Sequence, residues 1–265
     1  MSAKAEVRPR RNLRLLAHLT WWDLVAQYFG SWVGLLWNIL LPAMVIVVYL
    51  AVFEFSPKFV FGGWNTVGGY GINLVTALIP WLMFQEGVAR ASASFVDQRH
   101  LLTQIPVPSA LFPLANVSSA VVRHFIGLTL VIIILLAGGV FTGWHWFGLL
   151  LIFPILLLLT VGCAIVAACL TTIHRDVAPT VSAGMLPLFF TTPVIYPPHI
   201  VPQPLRVVMD LNPLSPIVVA YRDLLVTGVM PMPGALLWSA AVGLVIMAIA
   251  LILIRRIGPE LAERI

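Results

Sequence analysis

Apolar and polar positions alternate along this chain on the scale of whole bilayer crossings. The first segment, 13–29, places Thr20, Asp23 and Gln27 in one narrow sector of a helix and Trp21, Trp22 and Tyr28 elsewhere, the pattern of an amphipathic helix lying in a membrane interface. A long apolar run follows at 32–53; it contains Pro42 and stops before Glu54. Residues 56–71 are rich in glycine and turn formers and predict an external loop. The run at 72–96 is apolar to Phe84 and then carries Gln85, Glu86 and Arg90; Glu86 and Arg90 stand four residues apart, where one helix face holds them as a pair inside the membrane. Further runs at 110–140, 148–171, 177–195 and 235–254 complete six predicted transmembrane helices. Pro179, Pro187 and Pro193 predict that the fifth is not an uninterrupted straight helix.

The connections carry their own signals. Asp97 to Pro108 mixes charge, leucine and two prolines and reads as a structured cytoplasmic connector. Trp144, His145 and Trp146 suit a short turn at the far interface, and Thr172 to Asp176 a tight turn at the inner one. The segment 196–233 is too broken by proline for a spanning helix and too apolar for a free loop. It predicts two short re-entrant helices, near 203–210 and 214–226, folded back into the outer interface. The expected fold is therefore an all-α membrane protein, one transmembrane domain over 1–265.

Composition sharpens this picture. Of 265 residues 60% are hydrophobic and 9% charged, against about 25% charged in soluble domains, which excludes a soluble globule. The net charge of +5 is concentrated at the start, in Lys4, Arg8, Arg10, Arg11 and Arg14, with no interleaved aromatic to stack on bases. It reads as a cytoplasmic anchor, and no nucleic acid is expected. His18, Asp23 and Gln27 interrupt the apolar stretch that a twin-arginine signal would need after Arg10-Arg11, so the N-terminus is expected to stay in the mature protein. The remaining basic residues orient the six crossings: Arg99, Arg175, Arg255, Arg256 and Arg264 join the N-terminal group on one side, against Lys58, Arg206 and Arg222. Both termini are thus predicted to be cytoplasmic. Cys163 and Cys169, six residues apart on a helix, read as packing residues on different faces.

The chain holds no Gly-x-x-x-x-Gly-Lys-Ser/Thr loop, and its lysines are Lys4 and Lys58 alone, so it cannot hydrolyse a nucleotide by that route. No HExxH, CxxC or EF-hand pattern occurs, and no metal is expected. His124, His174, Asp176 and His199 fall on opposite sides of the predicted bilayer and cannot make one catalytic site.

Three segments, in order, then carry a resemblance. Residues 15–53 (LLAHLTWWDLVAQYFGSWVGLLWNILLPAMVIVVYLAVF) are similar to the N-terminal signature of the membrane-spanning subunit of ABC-type polysaccharide exporters, the group of O-antigen, capsule and teichoic acid permeases. Residues 77–108 resemble that family's second crossing and cytoplasmic helix, and 174–228 its fifth crossing and gate region; the Arg-Asp-Val turn, the Pro-Val-Ile-Tyr-Pro run and the Leu-Asn-Pro-Leu segment are the most specific parts. The pair Arg123-His124 departs from the family pattern.

The resemblance implies an export pore in the bacterial inner membrane. Two copies of this chain form it, and two separate nucleotide-binding subunits holding ATP and Mg drive it, with no cofactor in this chain. The substrate is a lipid-linked polysaccharide, O-antigen by first choice, and membrane lipids surround the pore. The coupling surfaces carry over to Trp22 and Asp23, to Asp97, Arg99 and His100, and to Arg175 and Asp176. The external gate carries over to Pro193, Tyr196, Pro197, Pro198, Asn212, Pro213, Arg222 and Asp223. A sugar path needs aromatic faces that hold rings weakly, for which Phe29, Trp32, Tyr49, Phe189, Phe190 and Tyr196 are the candidates. An ABC permease for a drug or small lipid is the runner-up. A membrane-embedded transferase is the reading from another class.

Overall fold

The computed structural model describes residues 9–26, 32–54, 69–100 and 108–258, and all regular structure among them is helical. Phe29, residues 56–68 of the loop expected at 56–71 and residues 101–107 of the connector expected at 97–108 lie outside the described residues, and 69–71 open a helix rather than close the loop. The elements are α1 (Pro9–Ala26), α2 (Trp32–Glu54), α3 (Gly69–Asp97), α4 (Leu111–Ala137), a 3-10 turn (Gly143–Gly148), α5 (Leu149–Ile173), α6 (Val177–Thr191), α7 (Gln203–Leu211), α8 (Leu214–Arg222) and α9 (Pro233–Ile257).

Four described segments are long and apolar enough to cross a membrane: Gly69–Asp97, Leu111–Ala137, Gly143–Ile173 and Pro233–Ile257. Helix α2 has 23 residues and rises about 34 Å. Helix α6, with 15, rises only about 22 Å, short of the roughly 30 Å hydrocarbon layer. The fifth run differs from expectation in its end, at Thr191 and not 195; it is broken before Pro193, as the prolines predict, while Pro187 stays inside the helix. Pro179 falls in the first turn, where its missing N–H costs nothing. At the other end the Thr191 and Thr192 hydroxyls both donate to the Leu188 carbonyl, at 3.0 and 2.7 Å, which satisfies that carbonyl where the helix stops. The two short helices expected after Tyr196 are present as α7 and α8, the second continuing as a π turn over Asp223–Thr227.

Helix α3 is the hub: α2, α4, α5, α6 and α8 all pack against it, α9 lies on α5, and α1 lies on α4. Of the apolar window of α3, 72% is buried inside the fold, against 17% for α9. A helix shielded from lipid on most sides tolerates polar side chains, provided each finds a partner. Thr76 donates to the Ile72 carbonyl at 3.0 Å and Ser92 to the Ala89 carbonyl at 2.6 Å.

Two sets of contacts define the ends of the bundle. At one, Tyr70 donates to the Ile195 carbonyl (2.6 Å), Thr142 to the Leu224 carbonyl (2.8 Å) and Trp146 Nε1 to the Leu225 carbonyl (3.3 Å). At the other, Phe95, Phe112, Ile165, Cys169, Ala250 and Ile257 form a small core of their own. Helices α3, α5 and α9 therefore run one way, and α4 runs back.

Glycine sets the closest approaches. A Cβ on Gly162 of α5 would lie 3.2 Å from the Met247 backbone nitrogen of α9, and backbone cannot yield as a side-chain tip can. A Cβ on Gly184 of α6 meets nothing within 4 Å. Gly162→Val is expected to lower the melting temperature of the detergent-solubilised protein by several degrees, about 2 kcal/mol of overpacking, while Gly184→Ala leaves it unchanged or higher. Equal shifts would contradict the α5–α9 contact.

Candidate functional site

Charged side chains in the apolar bundle come together across three helices. Arg90 of α3 donates to Asp23 of α1 at 2.6 Å and lies 3.5 Å from Glu86, one turn earlier. Glu86 in turn accepts a bond from Arg123 of α4, Nε to Oε2 at 2.8 Å, and its Oε1 lies 2.6 Å from Arg123 Nη2, a close ion pair. The series Asp23–Arg90–Glu86–Arg123 sums to zero charge, as a low-dielectric setting requires. Glu86 and Arg90, read from sequence as a pair of their own, are each bonded more tightly to another helix than to one another. Asp23, carried over as a coupling residue, turns its carboxylate inward, with only 12% of the side chain exposed. Trp22 beside it stays exposed.

His124 follows Arg123 and faces the centre of the bundle, buried among α3, α5 and α8. Its Nδ1 lies 3.4 Å from the Ile79 carbonyl and its Nε2 3.2 Å from the Tyr221 hydroxyl. With Nδ1–H donating to the carbonyl, Nε2 is left to accept the tyrosine proton. The ring stacks on Phe153 at 5.5 Å. Cavities flank it on both sides: one of about 350 Å³ between α2, α3 and α4 also touches Glu86 and Arg123, and one of about 720 Å³ lies against α4, α5 and the 3-10 turn.

The segment expected to form the gate is braced by side chains that satisfy its broken backbone. Asn212 donates to the Thr192 hydroxyl at 2.8 Å while its Oδ1 accepts from the Leu214 N–H at 3.0 Å, starting α8. Arg222 donates to the Pro193 carbonyl at 3.2 Å, and Tyr196 bonds the Phe190 carbonyl. Pro197 is buried, and Pro198 accepts from Arg206 at 3.3 Å. Pro213 immediately precedes the first turn of α8. Asp223 lies 3.7 Å from Arg222 Nε; burial pushes its carboxyl above the ordinary value and Arg222 opposes that shift.

The remaining candidates divide by position. Asp97, Arg99, His100, Arg175 and Asp176 are all exposed, and Asp97 and the Arg175-Asp176 turn lie at the Phe95 end of the bundle, away from the braced segment. Tyr49 is half-buried on α2, and the side chain of Trp32 lies outside the described residues. Phe189 packs on Trp81 of α3, centroids 5.3 Å apart, and Phe190 meets it edge-on at 5.7 Å with its own ring largely exposed. The aromatics around the larger cavity are others: Phe125, Phe141, Trp144, Trp146, Phe147 and Phe153. Their signal in the sequence was the Trp144-to-Phe147 cluster, read there only as an interface anchor. Arg123 likewise had a signal, since two acids and two bases in apolar surroundings must be matched.

Removing the Glu86 charge takes this carboxylate from Arg123, whose side chain is 8% exposed. Glu86→Gln is expected to destabilise the protein by about 2 kcal/mol in a reversible detergent unfolding titration, and Asp97→Asn, at an exposed position, by less than about 0.5 kcal/mol. Equal losses would show that the ion-pair series contributes nothing.

Comparison with known proteins shows the family. Residues 14–226 match the model of the ABC-2 type transporter family. The chain is 25% identical over 229 residues to an O-antigen export system permease protein RfbA from Klebsiella pneumoniae, covering 86% of each chain. It is 26% identical over 257 residues to the protein of that name from Myxococcus xanthus, covering 95% of each. The matched span takes in the ion-pair series, the His124 junction and the braced segment, and the chain belongs to the ABC-2 type transporter family.

Proposed function

We propose that this chain is the membrane-spanning subunit of an ATP-driven exporter that moves a lipid-linked, O-antigen-like polysaccharide from the cytoplasm across the bacterial inner membrane. The observation that carries the reading is the end-to-end similarity to permeases named for O-antigen export. The sequence supports the division of labour, since the chain has no nucleotide-binding loop. In this reading two copies form the pore and two nucleotide-binding subunits dock on the cytoplasmic end. There Trp22, Asp97, Arg99, His100, Arg175 and Asp176 offer an exposed polar surface with one large aromatic. In the same reading α2 to α6 and α9 are six crossings, both termini are cytoplasmic, and the α7–α8 segment is the gate at the outer interface. Helix α6, short of a full crossing by itself, spans with the 192–200 turn that follows it.

The driven element is the Asp23-bearing helix α1, tied by its half-buried ion pair to α3, so closure of the partner pair moves packed helices as a body. Aromatic faces and hydroxyls along the path hold sugars weakly enough to let them slide.

Affinity purification from the native host through a C-terminal tag tests this directly. A nucleotide-binding subunit is expected in equal amount, with ATPase activity in the complex that Arg175→Ala combined with Asp176→Ala lowers by about tenfold or more. A membrane protein recovered without any ATPase partner would overturn the proposal. ATPase stimulated by a drug or small lipid and indifferent to glycan would redirect it to the corresponding permease.

A further inference from the structure

Two pairs of adjacent residues join separate contacts into one path through the bundle. The ion pairs Asp23–Arg90–Glu86–Arg123 lead from α1 through α3 to α4. The next residue of α4, His124, faces another sector and meets the Tyr221 hydroxyl of α8 at 3.2 Å. The next residue of α8, Arg222, donates at 3.2 Å to the Pro193 carbonyl, in the turn between α6 and α7. Arg123, His124, Tyr221 and Arg222 are 8%, 4%, 0% and 5% exposed.

We propose that Arg123-His124 and Tyr221-Arg222 are positioning residues that carry a displacement of α1 to the α6–α7 turn near the opposite end of the bundle. This rests on the driven-exporter reading above, and it gives a role to the one pair that departs from the family pattern. Three observations support it. Apolar contacts slide past one another, whereas close ion pairs and buried polar bonds are costly to separate, so a moving helix takes its partner with it. Helices α3 and α4 approach closely beside the junction, where a Cβ on Gly127 would lie 2.9 Å from Ile79 Cδ1. Space for motion exists nonetheless: His124 lines both the 350 Å³ and the 720 Å³ cavity, so α4 has room on either flank where its neighbours are otherwise packed.

A brace that only holds the fold and a path that transmits motion differ in what they uncouple. The test uses the exporter complex with its ATPase partner in inverted membrane vesicles of the native host, whose own lipid-linked glycan is the probe. Glycan delivered to the lumen is measured per ATP hydrolysed and per assembled complex. Tyr221→Phe and His124→Leu are expected to lower that ratio about tenfold while ATP hydrolysis stays within about twofold of wild type, and His124→Gln, which can still donate to Ile79 and accept from Tyr221, to keep most of it. Should His124→Leu reduce assembly, Tyr221→Phe carries the comparison, because it deletes one hydroxyl and keeps the ring. A ratio unchanged in Tyr221→Phe, or delivery and hydrolysis falling in the same proportion, overturns the path and leaves the exporter reading standing. Wild-type vesicles that deliver no glycan overturn both.

Discussion

Charge inside an apolar bundle has to be neutralised where it stands, and helix α3, the most enclosed of the long apolar helices, carries both Glu86 and Arg90, each half-buried. Their own spacing allows a pair, but at 3.5 Å it is the longest link of the series. The shorter bonds go to Asp23 and Arg123 on neighbouring helices. Much else follows from that. Helix α1 is held against the bundle with its Asp23 face inward, so that Trp22 remains outside. Helix α4 is held in rotation about its axis by Arg123, which turns His124 toward α8. An orientation that apolar packing would leave loosely determined is fixed by four side chains.

The same accounting of polar groups organises the opposite end. Prolines from 193 to 216 remove backbone donors and break helices, and the carbonyls left over need partners. Tyr70, Arg206 and Arg222 reach the carbonyls of Ile195, Pro198 and Pro193, and Asn212 bridges the start of α8 to Thr192. Irregular backbone at membrane depth is tolerable only when buried in protein or facing water. Here Thr192 to Val194 and Pro197 are buried, while His199 and Pro202 are exposed.

How much of this was legible in the sequence depended on the range of the interaction. Hydrophobic runs and proline placement are local, so α2 to α6, α9 and even the paired short helices α7 and α8 could be read in order. The sequence puts the end of α6 too late, because Val194 and Ile195 continue the apolar run while the threonine hydroxyls that take up the Leu188 carbonyl at the helix end are invisible to hydropathy. The internal pair Glu86–Arg90 was legible from its four-residue spacing. Its stronger partners were not, since Asp23 is 67 positions from Arg90 and Arg123 is 37 from Glu86. The same limit hid the junction of His124 with Tyr221 and the aromatic walls of the larger cavity, which come from both sides of a turn.

The central claim is that this chain exports a glycan with energy supplied by another subunit. Deleting its gene in the native host and assaying surface glycan together with lipid-linked glycan inside the cell tests that claim most directly. The account predicts loss of the surface polymer with accumulation of its lipid-linked form on the cytoplasmic side, both reversed by the wild-type chain but not by one expressed without a working ATPase partner. Surface glycan at normal abundance in the deletion strain, or rescue independent of the ATPase, would contradict it.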